Sequence, residues 1–306
     1  MSARVLNRYV LAFALGLATL LVPSAAHAQE EESTFDPQDE FRLDPWIDIH
    51  LFGLDLSITK AVAYLLIAFA LTCGTMIYIA RTMTLRPRGR LQTVIETAYA
   101  FMRDNITRGN MDSKMAAKWF PFIATLFLFI WFSNIIGYLP LPFNTAHKIH
   151  IFGLELPAFA IYATTANLSM PLALAIVVWL SYHVEGVRAK GPVKYVKSWV
   201  PAGVPGPAVP LILGIEILSH FVRLLSLSLR LFANILAGHL LILFMAGGLV
   251  VLLGLNIVGT LVLGALTGVL GTVFFLFEIG LVVSLQAFIF ATLAAIYLGG
   301  AVAEEH

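Results

Sequence analysis

The residues of this chain that could do chemistry lie in one run, Glu216 to Asn234, reading EILSHFVRLLSLSLRLFAN. Glu216, Ser219, Arg223, Ser226, Arg230 and Asn234 recur at intervals of three or four. On an α-helix that spacing puts them on one face. The other positions are mainly Leu, Ile, Val and Phe. The run is therefore a lipid-compatible helix with a polar seam about 27 Å long, comparable to the hydrocarbon thickness of a bilayer. Arg at mid-bilayer costs at least about 2.5–3.5 kcal/mol on insertion scales. A seam of Ser and Asn could simply join neighbouring helices by hydrogen bonds. An arginine with no acid within a turn does not fit that purpose: Glu216 lies about 21 Å from Arg230 along the axis, and Glu278 is the only acid in the helix that follows. An arginine so placed reads as functional rather than as packing alone. It is permanently charged, because arginine is never deprotonated in proteins.

The elements that position the seam follow from composition. Of 306 residues, 59% are apolar and only 12% charged, and the mean hydropathy is +0.87. A soluble domain carries about 25% charged residues, so this chain must present apolar surface to lipid. Its single cysteine, Cys73, leaves no disulfide framework. Arg4 and Arg8, the apolar stretch Val10 to Val22 and the Ala26-His27-Ala28 pattern read as a secretory signal over residues 1–28, with a retained anchor as the alternative. An acidic segment, residues 29–56, is expected outside the cytoplasm, and a membrane channel domain over 57–306.

Spans are expected at about Ile58–Ala80, Trp119–Leu139 (containing Asn134) and Thr164–Tyr182 (opening near Asn167). The apolar stretch from Pro210 to Ala303 is long enough for two more helices, with a turn near Gly247, Gly248, Gly254 and Asn256. Gln92 to Lys118 is amphipathic and expected at the interface. Arg81, Arg86, Arg88 and Arg90 follow the first span, and Arg188, Lys190, Lys194 and Lys197 the third. Under this threading both basic clusters fall on one side, the cytoplasmic one. The fold class is thus all-α and polytopic, with about five membrane helices and one interfacial helix. His183, at a span end, is expected at the interface. His220 is offset from the seam and reads equally as packing or channel. A transporter would need inverted repeats or broken helices, which are not evident. A haem subunit would have to use His183, His220 or His239, which lack paired placement on one helix. No phosphate loop, nucleophile elbow, metal-ligand cluster or nucleic-acid patch is evident, so no cofactor, metal or nucleic-acid partner is expected.

The runs Ser228-Leu-Arg-Leu-Phe-Ala-Asn-Ile-Leu-Ala-Gly-His239 and Leu285-Gln286-Ala-Phe-Ile-Phe290, with Tyr297-Leu298 and the terminal Glu304-Glu305-His306, resemble subunit a of the bacterial F-type ATP synthase. The resemblance implies a non-catalytic stator subunit of the inner membrane, with its N-terminus outside and its C-terminus inside. It would provide two offset half-channels for protons beside a rotor ring of subunit c, and would also contact the peripheral-stalk subunit b. ATP would be bound only by other subunits. It implies that Arg230 is the essential stator arginine, with Asn234 and Gln286 as polar channel residues near it. It places His239 on the outer half-channel, and Glu216 and Ser219 on the cytoplasmic one. Arg223 matches a position that is often basic. It also implies that the last two helices are strongly tilted. One feature departs from the pattern. Many members carry an acid or His seven residues before the glutamine; here Ile279 stands there, and Glu278 stands eight before. One residue turns a helix position by about 100°. A partnership of Glu278 with His239 would need a local bulge, or a different neighbour.

Overall fold

A computed structural model describes residues 43–303 apart from residues 44, 48, 52–53, 56, 84–88, 142–147, 152–153, 158–161, 202 and 246–256. The expected signal, most of the acidic segment, the turn near Gly247 and the terminal Glu304–His306 lie outside the described residues.

The chain is all-α in its membrane part. Helix α1 is Lys60–Thr82, α2 Arg90–Phe101, α3 Ser113–Gly137, α4 Ser169–Lys190, α5 Pro192–Lys197, α6 Val209–Leu243, α7 Ile257–Phe277 and α8 Val283–Val302. A π-helical turn, Met102–Thr107, continues α2, and a second, Glu278–Val282, joins α7 to α8. Five segments are long and apolar enough to cross a membrane: Lys60–Thr82, Ser113–Gly137, Ser169–Lys190, Gly206–Leu243 and Ile257–Val302. Three small antiparallel ribbons lie in the connections, pairing Pro45–Ile47 (β1) with Ile58–Thr59 (β4), His50–Leu51 (β2) with Leu54–Asp55 (β3), and Lys148–Ile151 (β5) with Leu154–Pro157 (β6).

Two expected boundaries move, for local reasons. The second span starts at Ser113, because Asp112 caps its N-terminus, accepting from the Lys114 backbone N–H at 3.1 Å. The interfacial segment is accordingly shorter, Arg90 to Thr107. The third span runs on to Lys190, well past the apolar stretch. Gly191, at φ +79°, and Pro192 stop it there.

The described residues form two compact units, Leu43–Ile235 with Val283 onward, and Leu236–Val282. In the first, α1 and α8 pack on α3, and α8 also packs on α4. Close approach of the end of α3 to the segment before α4 needs Gly137: a Cβ there would lie 2.5 Å from the Ala163 Cβ. Lys118 on α3 forms an ion pair with the buried Glu185 on α4. Lys190 Nζ donates to the carbonyl of Ala303 at 2.8 Å, tying the end of α4 to the end of α8.

Candidate proton-translocation site

Helix α6 carries two different faces. Within the first unit its buried positions are His220, Leu227, Ser228, Leu231 and Ile235. The seam expected from the sequence is displaced from these by roughly 100° around the axis. Its second half is left uncovered. Glu216, Ser219 and Arg223 are half-buried, while Ser226, Arg230 and Asn234 are exposed. Beside the seam lie Leu211, Ile215, Leu218, Val222, Leu225 and Leu229, all exposed. Among the described residues, Arg230 makes no ion pair, hydrogen bond or ring contact, and neither do Glu216, Ser219, Ser226 or Asn234. Arg223 alone has a partner, its guanidinium lying over the Tyr297 ring at 5.7 Å. The explanation of the seam as glue between helices of this chain therefore fails, since hydrogen-bonding side chains that joined helices would be paired and covered.

The weaker candidates are placed as follows. His220 is buried and turned away from the seam; its Nδ1 lies 3.0 Å from the Tyr182 hydroxyl. Asn134 is fully buried, and its Oδ1 accepts from Thr165 Oγ1 at 2.6 Å. Its Nδ2, together with Ser133 Oγ and Thr164 Oγ1, is buried with no hydrogen-bond partner among the described residues. Asn167, two residues before α4, accepts from the Ser169 N–H at 3.0 Å. Tyr162 beside it is buried, and that burial pushes its phenol up to about 12, against a smaller opposing effect of a hydrogen bond from Asn167. Gln286 is buried on α8, and on the same helix Ser284 Oγ accepts from Trp131 Nε1 of α3 at 3.2 Å. His183 sits in an aromatic cluster that sequence reasoning missed, with Trp179 at 4.2 Å, Tyr195 at 5.8 Å and His220 at 4.8 Å between ring centroids.

In the second unit His239 and Glu278 are both buried. Glu278 opens the π-helical turn Glu278–Val282. A π turn holds one residue more than the α turn it replaces, which is where the eight-residue spacing from Glu278 to Gln286 finds its extra residue. The Glu278 carboxyl lies against Gly238, the residue before His239. A Cβ on Gly238 would fall 2.5 Å from Glu278 Cδ, 2.6 Å from Oε2 and 2.7 Å from Oε1. Of the two alternatives the sequence left, a local bulge or a different neighbour, the first is present as this π turn.

The comparisons with known proteins give the family. The family model described as ATP synthase A chain matches residues 62–299. "ATP synthase subunit a" of Parvibaculum lavamentivorans is 34% identical, the alignment covering 89% of this chain and 95% of that protein. The proteins of the same name from Hyphomonas neptunium and Bradyrhizobium diazoefficiens are 35% and 37% identical, covering 89% of this chain and 98% and 99% of theirs. With the match running through all five apolar helices and both motifs, the chain belongs to the ATP synthase A chain family, the proton-translocating membrane subunit of that complex.

Proposed function

We propose that this chain is the stator half of the proton channel, and that Arg230 is the cation against which carboxylates of a subunit c ring release their protons. The observation that carries this reading is the exposed Arg230, unpaired among the described residues, on the polar seam of a helix whose other positions are mainly apolar. A carboxylate facing lipid must be protonated, because a bare charge there is too costly. At about 4 Å from a guanidinium, with an effective dielectric of about 20, the attraction is about 4 kcal/mol, or about three pKa units. That is enough to deprotonate the acid as it passes. Glu216, Ser219 and Arg223 line the leg of the seam toward the cytoplasm. His239 with Glu278, and the Asn134–Thr165 pair with Asn167, belong to the outer leg, with Asn234 and Gln286 polar beside the ring. Offset legs oblige protons to ride the ring, and Arg230 bars direct passage between them. Subunit b holds the chain to the stator, and ATP chemistry stays in the soluble head. The N-terminus lies outside and the C-terminus inside, as the two basic clusters require.

The test is Arg230→Ala in the intact complex in inverted vesicles. ATP-driven proton pumping is lost while the head still hydrolyses ATP. Coupled pumping at the wild-type rate in that variant overturns the assignment.

A further inference from the structure

Arg223 is the one seam residue with a partner among the described residues, and that partner stands on another helix of the first unit. Its guanidinium carbon lies 5.7 Å from the centroid of the Tyr297 ring of α8. Tyr297 packs in turn on Tyr182 of α4, the ring centroids 5.8 Å apart and the planes at 58°. Tyr182 is buried, and its hydroxyl lies 3.0 Å from His220 Nδ1. The ring that faces Arg223 is therefore backed by a fixed aromatic neighbour. The guanidinium is held by the ring alone: among the described residues Arg223 makes no hydrogen bond and no ion pair. Both Arg223 and Tyr297 are half-buried, so the contact is partly withdrawn from water.

The face of an aromatic ring carries negative potential and attracts a cation, more strongly where water is excluded. The strength of such contacts corresponds to a factor of about 2 to about 30 in the population of the held state. The position of Arg223 says what the alternative state is. Glu216 stands two turns earlier on the same seam, about 10.5 Å along the axis, with Ser219 between them. Helical side chains lean toward the N-terminus of their helix, so an Arg223 released from the ring leans toward Ser219 and Glu216. An ion pair between half-exposed side chains gains little, because water screens it and two long side chains must be ordered. A ring contact of this strength is enough to decide which partner the guanidinium keeps. A carboxylate paired with a cation gives up much of its affinity for a proton. Glu216 would then exchange protons poorly with the water of the inner mouth.

We propose that Tyr297 is a positioning residue, whose ring holds the Arg223 guanidinium against α8 and so leaves the Glu216 carboxylate unpaired for proton exchange. The inference rests on Glu216 lining the inner half-channel. The experiment measures ATP-driven pumping per assembled complex in inverted vesicles for Tyr297→Phe, Tyr297→Leu, Arg223→Gln and the double variant Arg223→Gln/Tyr297→Leu. Tyr297→Phe keeps the ring face and is expected to pump within about twofold of wild type. Tyr297→Leu removes the face and is expected to lose about 2-fold to about 30-fold. The double variant is expected to pump as Arg223→Gln does, because without the cation there is nothing to hold. Pumping by Tyr297→Leu at the wild-type rate overturns the proposal. So does an equal loss in the Arg223→Gln background, which marks packing alone, and so does a loss in Tyr297→Phe as large as in Tyr297→Leu. Should Tyr297→Leu fail to assemble, phenylalanines carrying successively more ring fluorines are placed at position 297. They keep the shape and drain the negative face. Pumping must then fall stepwise with fluorine number when Arg223 is present and stay level in the Arg223→Gln background; no trend with fluorine number overturns the proposal. Failure of the channel reading itself shows separately, as intact pumping by Arg230→Ala.

Discussion

Gly238→Ala separates the outer-leg proposal from ordinary helix energetics, because the two predict opposite signs. In a helix interior Ala is the better residue by about 0.5–1 kcal/mol. If Gly238 were only a helical position, the variant would be as stable as wild type, or more so, and fully active. The geometry predicts otherwise. The new methyl would stand 2.5–2.7 Å from the three terminal atoms of the Glu278 carboxyl. Ordinary contact between such atoms needs about 3.5 Å, so the carboxyl must retreat by about 1 Å. The end of a glutamate side chain can do so by changing rotamer, which keeps the fold intact. A misplacement of about 1 Å at a reacting group is worth up to about 100-fold. Pumping in Gly238→Ala vesicles is therefore expected to fall between about tenfold and about 100-fold, with the complex assembled and its thermal midpoint unchanged or raised. Adding Glu278→Asp, which shortens the side chain by one methylene, should recover part of the loss. The reasoning is refuted if Gly238→Ala pumps at the wild-type rate, or if its loss is matched by a loss of assembled complex.

Two further outcomes test the packing. A Cβ at position 186 would lie 2.7 Å from both Cδ2 and Cζ of Tyr195, so Gly186→Ala must push the ring off α4; the overpacking is expected to cost about 1–3 kcal/mol, read as a lower thermal midpoint in detergent. Tyr162 holds its proton up to about pH 12 in the fold, against about 10 in an unfolded chain. Stability from this group is complete below about pH 10 and is lost as the pH rises to about 12, by a few kcal/mol at most, on the order of 1.4 kcal/mol per pKa unit. Tyr162→Phe should abolish that part of the alkaline loss and remove one late phenolate from the ultraviolet titration, and a titration identical to wild type would contradict the burial.

The sequence makes the seam legible because a helical period leaves a mark in every turn, and six polar residues among leucines cannot be mistaken for a strand. The membrane class follows as directly from charge scarcity. What was not legible depends on partners distant along the chain or on a single local insertion. Tyr182 meets His220 across 38 residues, and no spacing rule relates positions on two helices before their packing is known. The π turn at Glu278 is visible in the sequence only as a discrepancy of one residue against a family pattern. The β ribbons have strands of two to four residues, too short for an alternating pattern to accumulate. The boundary errors had signals that apolar counting ignored: Asp112-Ser113 as a cap, and Gly191-Pro192 as a stop.

The two faces of α6 explain why its arginine is tolerable at all. A guanidinium buried against its own chain would need an internal carboxylate, and a fixed ion pair would satisfy the charge permanently. A passing acid would then gain nothing from it. By packing through Leu227, Leu231 and Ile235 and leaving Arg230 on average about 100° away on the open side, the helix is held by apolar contacts that do not involve the cation. In the proposed mechanism the cost of the unpaired charge is met only when a carboxylate of another subunit arrives, and that carboxylate recovers the cost as a shift in its own proton affinity. A helix that separates its packing stripe from its charge in this way can keep one residue unsatisfied without losing its place in the fold.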